Sequence, residues 1–595
     1  MKGRRPKHAA PLAAPSDAWS TPVALLAIAI AGLIAYANSF AGVFLFDDLG
    51  SIVRNAHIRS LTPLSQVLLP PADTPLAGRP LVQLSLAINY AMGSTSVWGY
   101  HVVNLALHLT CGGLIYLLIR RAGTQTIAFA VALLWTVHPL NSEVVNYLTQ
   151  RTESMMAVCF LFTLYAASRN WRTAAITICA AGMLCKETMA VAPIAVVLYD
   201  YAFSGSASFA DTVTRRWTLY AALAATWIVP AVMLATRGQT LNGGFASAHV
   251  GAWTYLLNQP TMILRYFRLA IWPRDLVLYY GWPRALTLAD VWLPAIVVIA
   301  LVITSIVVAV TRWRRIGALA VWVFLLLAPT SSILPIATEV GAERRMYLPL
   351  IGLIALAVAG LTWLGRQRPA LRAVPATVVA IVVVALGATT FARNAEYASS
   401  LGMAHTILAR WPTPNAHYLV GTELLVAGRH ADAVSHLRVA AEQYPPARYS
   451  LGEALFGSGQ PAAAIVEFER FQREEPTLSP INTRFQIAKA YGSMGQMPQA
   501  IENLTAVIAA APNLIEARGL MAEALADQHR YAEAIPHYGA YLESNQRNAA
   551  VWTRLAGALM AVSRQADAIE ALKRATAADP AYAPAQAALR ALAAK

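Results

Sequence analysis

About eleven apolar stretches follow one another between Thr21 and Phe391, and short clusters of basic residues punctuate them. That succession leaves few folds open. With 57% hydrophobic and 13% charged residues in 595, the chain carries more apolar material than a soluble core of this length buries. It reads as all-α: a polytopic membrane helix bundle whose spans run roughly fourteen to twenty residues. They fall near 21–40, 99–119, 126–140, 154–168, 173–186, 188–204, 217–236, 290–311, 317–335, 347–364 and 373–391. Past residue 392 the apolar excess ends, and Ala-rich helical patterns with charged residues run to Lys595. The expected domains are a basic tail over 1–20, a membrane domain over 21–392 with an outer loop at 41–98, and a soluble domain over 393–595.

The net charge of +15 sits in scattered clusters rather than on one basic face with exposed aromatics, which argues against a nucleic-acid partner. It serves orientation instead. Basic residues flank cytoplasmic span ends, so Lys2, Arg4, Arg5 and Lys7 place the N-terminus in the cytoplasm. The clusters Arg120/Arg121, Arg169/Arg172, Arg215/Arg216, Arg312/Arg314/Arg315 and Arg366/Arg368/Arg372 then return to the same side. Residues 253–273 compete as a twelfth span, but that threading would bury Arg265 and Arg268 at membrane depth. They are expected to lie along the outer surface, as are residues 81–93. The odd span count puts the soluble region outside with Asp47. Residues 21–40 are too long for a signal-peptide core and lack a cleavage site, so they are read as a retained span. Cys111, Cys159, Cys179 and Cys185 all lie in apolar runs and imply neither a disulfide framework nor a metal site.

The soluble region repeats itself. Aligning its segments superposes Gly421, Gly452 and Ala488, then Gly428, Gly459 and Gly495, then Ala433, Ala464 and Ala500, then Pro445, Pro476 and Pro512. Further copies carry Ala522, Ala534, Ala556, Ala568 and Pro580. Two helices per unit, small residues at their crossing and proline ending the second are the tetratricopeptide pattern. About five repeats over 414–580 and a C-terminal helix form an α-solenoid, whose groove suits a protein partner; a spacer or dimerisation arm is the plainer reading.

Ionisable residues beside membrane spans are costly and are functional candidates by default. Asp47, Asp48, Arg79, His101, His138, Glu143, Arg151, Glu153, Lys186, Glu187, Glu343, Arg344 and Arg345 all fall at outer ends or loops. Carboxylates there can take a hydroxyl proton, and Arg and Lys can stabilise a developing phosphate charge. Each has a duller alternative. Asp47 and Asp48 could cap the helix that follows them, Lys186 and Glu187 could pair with each other, His138 could be an ordinary interfacial residue, and Arg344 and Arg345 could anchor to headgroups.

Five stretches, "FDDLGSIVRN", "GRPLVQLSLAINYAMGSTSVWGYHVVNLALH", "ALLWTVHPLNSEVVNYLTQRTE", "CKETMAVAPIAVVLYD" and "GAERRMYLPLIG", occur in an order that resembles the transmembrane and tetratricopeptide-repeat-containing O-mannosyltransferases. The resemblance implies the type C glycosyltransferase fold and a polyprenyl-phosphate sugar donor. Eukaryotic members transfer mannose from dolichyl-phosphate mannose to Ser or Thr in the endoplasmic reticulum lumen. Carried over, Asp47 and Asp48 match the acidic catalytic motif, with Asp47 the preferred general base. Arg79, His138, Arg151, Lys186, Glu187, Glu343, Arg344 and Arg345 are expected to bind donor phosphate or substrate. No cofactor is required on this reading, although the acidic pair could recruit a divalent cation. The small number of repeats, the lack of an endoplasmic-reticulum retention signal and the Ala/Arg-rich composition point to a bacterial inner-membrane relative with periplasmic repeats and exported proteins as acceptors. Two rival readings are a non-catalytic scaffold or lipid-carrier transporter, although the symmetry of transporters is not seen, and a transferase acting on envelope glycan or lipid.

Overall fold

The computed structural model describes residues 19–71, 74–237, 250–331, 336 and 338–593; the basic tail with Lys2, Arg4, Arg5 and Lys7 lies outside them. The described chain is almost wholly helical and divides into two units, Met1–Trp411 and Pro412–Lys595. The boundary thus falls after residue 411 rather than after 392. Side chains explain the shift: Arg410 donates to the Leu276 carbonyl at 2.8 Å and pairs with Glu396, and the Trp411 indole donates to the Tyr280 carbonyl at 2.9 Å. These bonds fasten the helix Ser400–Arg410 to the first unit.

Among the described residues of that unit, six helices are long and apolar enough to cross a membrane: Val97–Ala122, Phe209–Ala235, Leu288–Ala309, Arg314–Ser331, Pro349–Gln367 and Val374–Ala398. A seventh crossing is possible if Gln125–Thr136 and Pro139–Asn146, bent by 53° at a break, count as one. Pro139 accounts for the break, since it cannot donate to the preceding turn. Other apolar segments make shorter helices, such as Thr21–Ala35 with 15 residues. At 1.5 Å per residue that helix reaches about 22 Å against a core of about 30 Å. Length and composition thus give six or seven helices able to cross a membrane among the described residues, and do not establish the eleven spans read from the sequence.

Two groups of polar contacts mark opposite ends of the bundle. At one end Arg120 bonds the Thr21 hydroxyl, Arg121 the Ser168 carbonyl at 2.8 Å, Arg216 the Ala167 carbonyl at 2.6 Å, and Arg314 the Ser206 carbonyl at 2.5 Å. At the other, Asn394 donates to the Ala35 carbonyl at 2.9 Å and accepts from Asn146 at 2.8 Å. Arginine clusters that the sequence assigns to one side thus meet at one end. The helix Ala252–Ile271 makes its polar contacts at the opposite end: Tyr255 bonds Arg345 and the Thr330 carbonyl, Tyr266 bonds the Ala342 amide, and the Ala270 carbonyl bonds His138. Between the ends, His108 stacks on Trp135 at 4.8 Å and bonds the Tyr347 hydroxyl at 2.9 Å. The Trp135 indole donates to the Tyr347 carbonyl at 2.7 Å, which fixes the chain just after Arg344 and Arg345.

The second unit is five helix pairs and a last helix, Ala583–Ala593. The pairs begin at Pro414, Ala447, Pro480, Ile515 and Ala549. Ala433, Ala464, Ala500, Ala534 and Ala568 are buried where the paired helices cross. A Cβ on Gly452 would sit 2.5 Å from the Phe468 ring, so only glycine permits that approach. The turn inside each pair needs a left-handed residue: Gly428, Gly459 and Gly495 supply it at φ +71, +79 and +73, and His529 and Ser563 at +57 and +62. His529 and Ser563 take the place that glycine holds in the first three pairs.

Candidate functional site

The segment Leu45–Leu49 turns tightly, with Asp48 N–H donating to the Leu45 carbonyl at 2.7 Å and Leu49 N–H to Phe46 at 3.1 Å. Phe46 sits at φ +39, a strained conformation for a side-chain-bearing residue, and strain persists only where neighbours impose it. The neighbours are residues 147–149. Asp48 is fully buried; its Oδ2 accepts from Leu45 N–H at 3.0 Å, and its Oδ1 from Thr149 N–H at 2.7 Å and from the Thr149 hydroxyl. Burial pushes the Asp48 carboxyl up to about 7, with the Thr149 and Leu45 donors pulling it back. Neither aspartate caps the following turn, Leu49–Val53, by a side-chain bond. Asp47 instead keeps its side chain exposed. Its backbone N–H donates to the Tyr147 hydroxyl at 3.0 Å. Surrounding protein raises the Asp47 carboxyl, Tyr147, Arg344 and Arg79 lower it, and Glu339 raises it. Because the side chain meets solvent, the upward effect is partly screened.

Around the pair, opposite charges interlock. Arg344 bonds Glu143 with both its backbone N–H, at 2.9 Å, and its guanidinium, and also pairs with Glu339. Arg79 reaches both Glu187 oxygens at 3.1 Å. Lys186 pairs with buried Glu153. Lys186 and Glu187 therefore face different partners rather than each other, because the extended backbone at Lys186 sends neighbouring side chains apart. Lys186, Arg345, Glu153, Thr188 and Thr330 line a small cavity of about 20 Å³.

Other candidate residues have structural occupations. His138 accepts from Leu140 N–H at 3.2 Å through Nδ1 and reaches the Ala270 carbonyl through Nε2, so both ring nitrogens are taken. Arg151 is fully buried; it donates to Asn104 Oδ1 at 2.8 Å, the Ser85 hydroxyl at 3.0 Å and the Tyr100 carbonyl at 3.1 Å. Asn104 in turn donates to the Val145 and Leu148 carbonyls, so Arg151 supports the segment that grips Asp47 and Asp48. Arg345 is held by Tyr255 and by the Thr330 and Glu339 carbonyls. Glu343 accepts from Val277 N–H and, at 2.9 Å, from the Tyr280 hydroxyl, and burial pushes it up to about 7. His101 is buried against Gly42. Among the described residues no three His, Cys, Asp or Glu side chains gather as a metal site.

Sequence reasoning missed Tyr147, Thr149 and Glu339. The first two are uncharged, and Glu339 lies four residues before the quoted "ERR" without a motif of its own. Only the fold brings them to the acidic pair.

The fold and this polar end define a multi-pass helical membrane protein with a tetratricopeptide solenoid. Residues 73–234 match the family described as dolichyl-phosphate-mannose-protein mannosyltransferase, and residues 386–448 and 525–593 match tetratricopeptide repeats. The acidic pair precedes the matched residues and Glu339–Arg345 follows them. Protein O-mannosyl-transferase Tmtc1 of Drosophila melanogaster is 30% identical over 215 residues, covering 33% of this chain and 24% of that protein. Tmtc3 of the same fly is 33% identical over 216 residues, covering 29% and 23%. Human TMTC4, also named a protein O-mannosyl-transferase, is 28% identical over 201 residues, covering 28% and 27%. The chain thus spans only about a quarter of the length of these relatives. The solved tetratricopeptide protein YrrB superposes with a TM-score of 0.28 at 18% identity, over 30% of this chain and 92% of its own. The chain thus carries a segment similar to the mannosyltransferase family and tetratricopeptide repeats, and is similar to proteins named protein O-mannosyl-transferases.

Proposed function

We propose that the chain is a membrane glycosyltransferase that moves a sugar, with mannose favoured, from a polyprenyl-phosphate donor to Ser or Thr hydroxyls of exported proteins. The observation that carries the reading is the exposed Asp47 carboxylate, clasped by its backbone and facing the cations Arg79 and Arg344. The acceptor hydroxyl oxygen attacks the anomeric carbon from the face opposite the phosphate, inverting it. The bond from that carbon to the phosphate oxygen breaks, its electron pair leaves with the lipid phosphate, and the hydroxyl proton passes to Asp47. Arg79, Lys186 and Arg344 offset the charge gained by the phosphate, in competition with the carboxylates they already face. No metal is needed for these steps. The tetratricopeptide units recruit the acceptor protein. The names of these relatives, protein O-mannosyl-transferases, support the transfer of mannose to protein.

The test is an Asp47→Asn substitution in the full chain. Transfer should fall by about 10²–10⁴ while donor binding survives, as expected of a lost general base. A chelator should leave the unsubstituted protein active. Transfer at the original rate in Asp47→Asn would move the base to Glu143, Glu187 or Glu343.

A further inference from the structure

Tyr147 is 5% exposed and stands at the junction of two short helical turns, Ser142–Asn146 and Leu148–Gln150. Its hydroxyl receives the Asp47 N–H at 3.0 Å. A phenol that accepts one hydrogen bond still has its own proton to give. The charged groups facing this point are Asp47 and Asp48 on the tight turn, Glu339 and Arg344 before the "MYLP" helix, and Arg79 from the outer loop. Glu339 and Arg344 are already engaged with each other, Arg79 with Glu187, and Asp48 with Leu45 and Thr149. That leaves the Asp47 carboxylate as the open acceptor, and its interaction with Tyr147 favours the ionised form. Two residues further on, Thr149 clasps Asp48 by backbone and hydroxyl together. One segment therefore grips both aspartates, and it is itself hung from Asn104 and Arg151. The strained Phe46 between Leu45 and Asp47 is what such a grip must hold.

We propose that Tyr147 is a positioning residue for the transfer reaction: its hydroxyl bridges the Asp47 backbone and carboxylate and holds that carboxylate ionised and aimed at the incoming hydroxyl. The proposal rests on the reading of Asp47 as general base. It makes Tyr147 act through Asp47 and not on the sugar or the phosphate.

The experiment uses the full chain in lipid, with a short-chain polyprenyl-phosphate mannose and a Ser/Thr-rich peptide, and follows kcat against pH. Tyr147→Phe keeps the ring and loses the bridge. It should lower kcat by about 10- to 100-fold, the effect of one hydrogen bond to a charged group, and move the acid limb up by about one pH unit, because Asp47 becomes harder to ionise. The KM for donor should not change. A second series replaces Tyr147 with fluorotyrosines of increasing acidity, which preserve shape, and here the acid limb should move progressively down. An acid limb that stays fixed across the fluorotyrosines, or a Tyr147→Phe protein with unchanged kcat and pH profile while Asp47→Asn is inactive, overturns the role of Tyr147 alone. Full transfer by Asp47→Asn overturns the general-base reading as well.

Discussion

Asp47 keeps its carboxylate open to solvent, whereas Asp48 commits both oxygens to Leu45 and Thr149. Two adjacent and chemically identical residues should therefore fail differently. Asp48→Asn puts an amide donor where the Leu45 N–H and the Thr149 N–H and hydroxyl converge, leaving one donor unsatisfied at a cost of about 1–3 kcal/mol. Its activity should fall with melting temperature, while Asp47→Asn should melt like the original protein; thermal unfolding in detergent separates them. The raised Asp48 carboxyl also makes a pH prediction. Its folded value of about 7 exceeds the model-compound 3.8, so the folded state binds the extra proton. That contribution is fully present below about pH 4 and is lost as pH rises through about 7. Stability should decline across this window by a few kcal/mol, with Glu343 adding in the same direction. The decline should be shallower in Asp48→Asn; an identical slope would contradict the assignment. From the sequence alone the pair read as one motif. The division of labour depends on Thr149, about a hundred positions away, which no local pattern links to Asp48.

At the scale of elements, legibility followed periodicity. The repeats were readable because each unit states its own packing: Ala464 against its partner helix, Gly459 in the turn. Where another residue took over the turn, as Ser563 does at φ +62, the sequence signal vanished while the geometry did not. Left-handed backbone costs a side-chain-bearing residue about 1 kcal/mol more than glycine. Ser563→Gly should stabilise its helix pair by about that amount, and Gly459→Ala, whose new methyl meets no atom within 4 Å, should destabilise by a similar amount. Hydrogen-exchange protection of the flanking helices in the full chain reads both, and equal protection in all three proteins would contradict the argument. His138 and Arg151 illustrate what stayed hidden. Hydropathy located them near one end of the bundle, but their partners are carbonyls and an amide, groups that every sequence contains and none advertises.

For the whole molecule, the charge pattern and the contacts agree on two unlike ends, one gathering Arg120, Arg121, Arg216 and Arg314, the other gathering the acidic pair and its interlocked cations. The proposed orientation predicts that a reporter fused after Lys595 is active only outside the cytoplasm, and one near Arg215 only inside. The recruiting role predicts that removing residues 414–595 abolishes modification of protein acceptors, while a short peptide at high concentration is still modified. Full modification of the native protein set by the truncated chain would contradict that role. The central claim is sugar transfer to protein hydroxyls with Asp47 as the base, and it is tested most directly by glycopeptide and intact-mass analysis of exported proteins. Three kinds of cell are compared: with the gene, without it, and with Asp47→Asn in its place. The account predicts hexose on Ser or Thr peptides in the first and its loss in the other two. The same glycopeptides in all three, or in cells carrying Asp47→Asn at the original level, would contradict it.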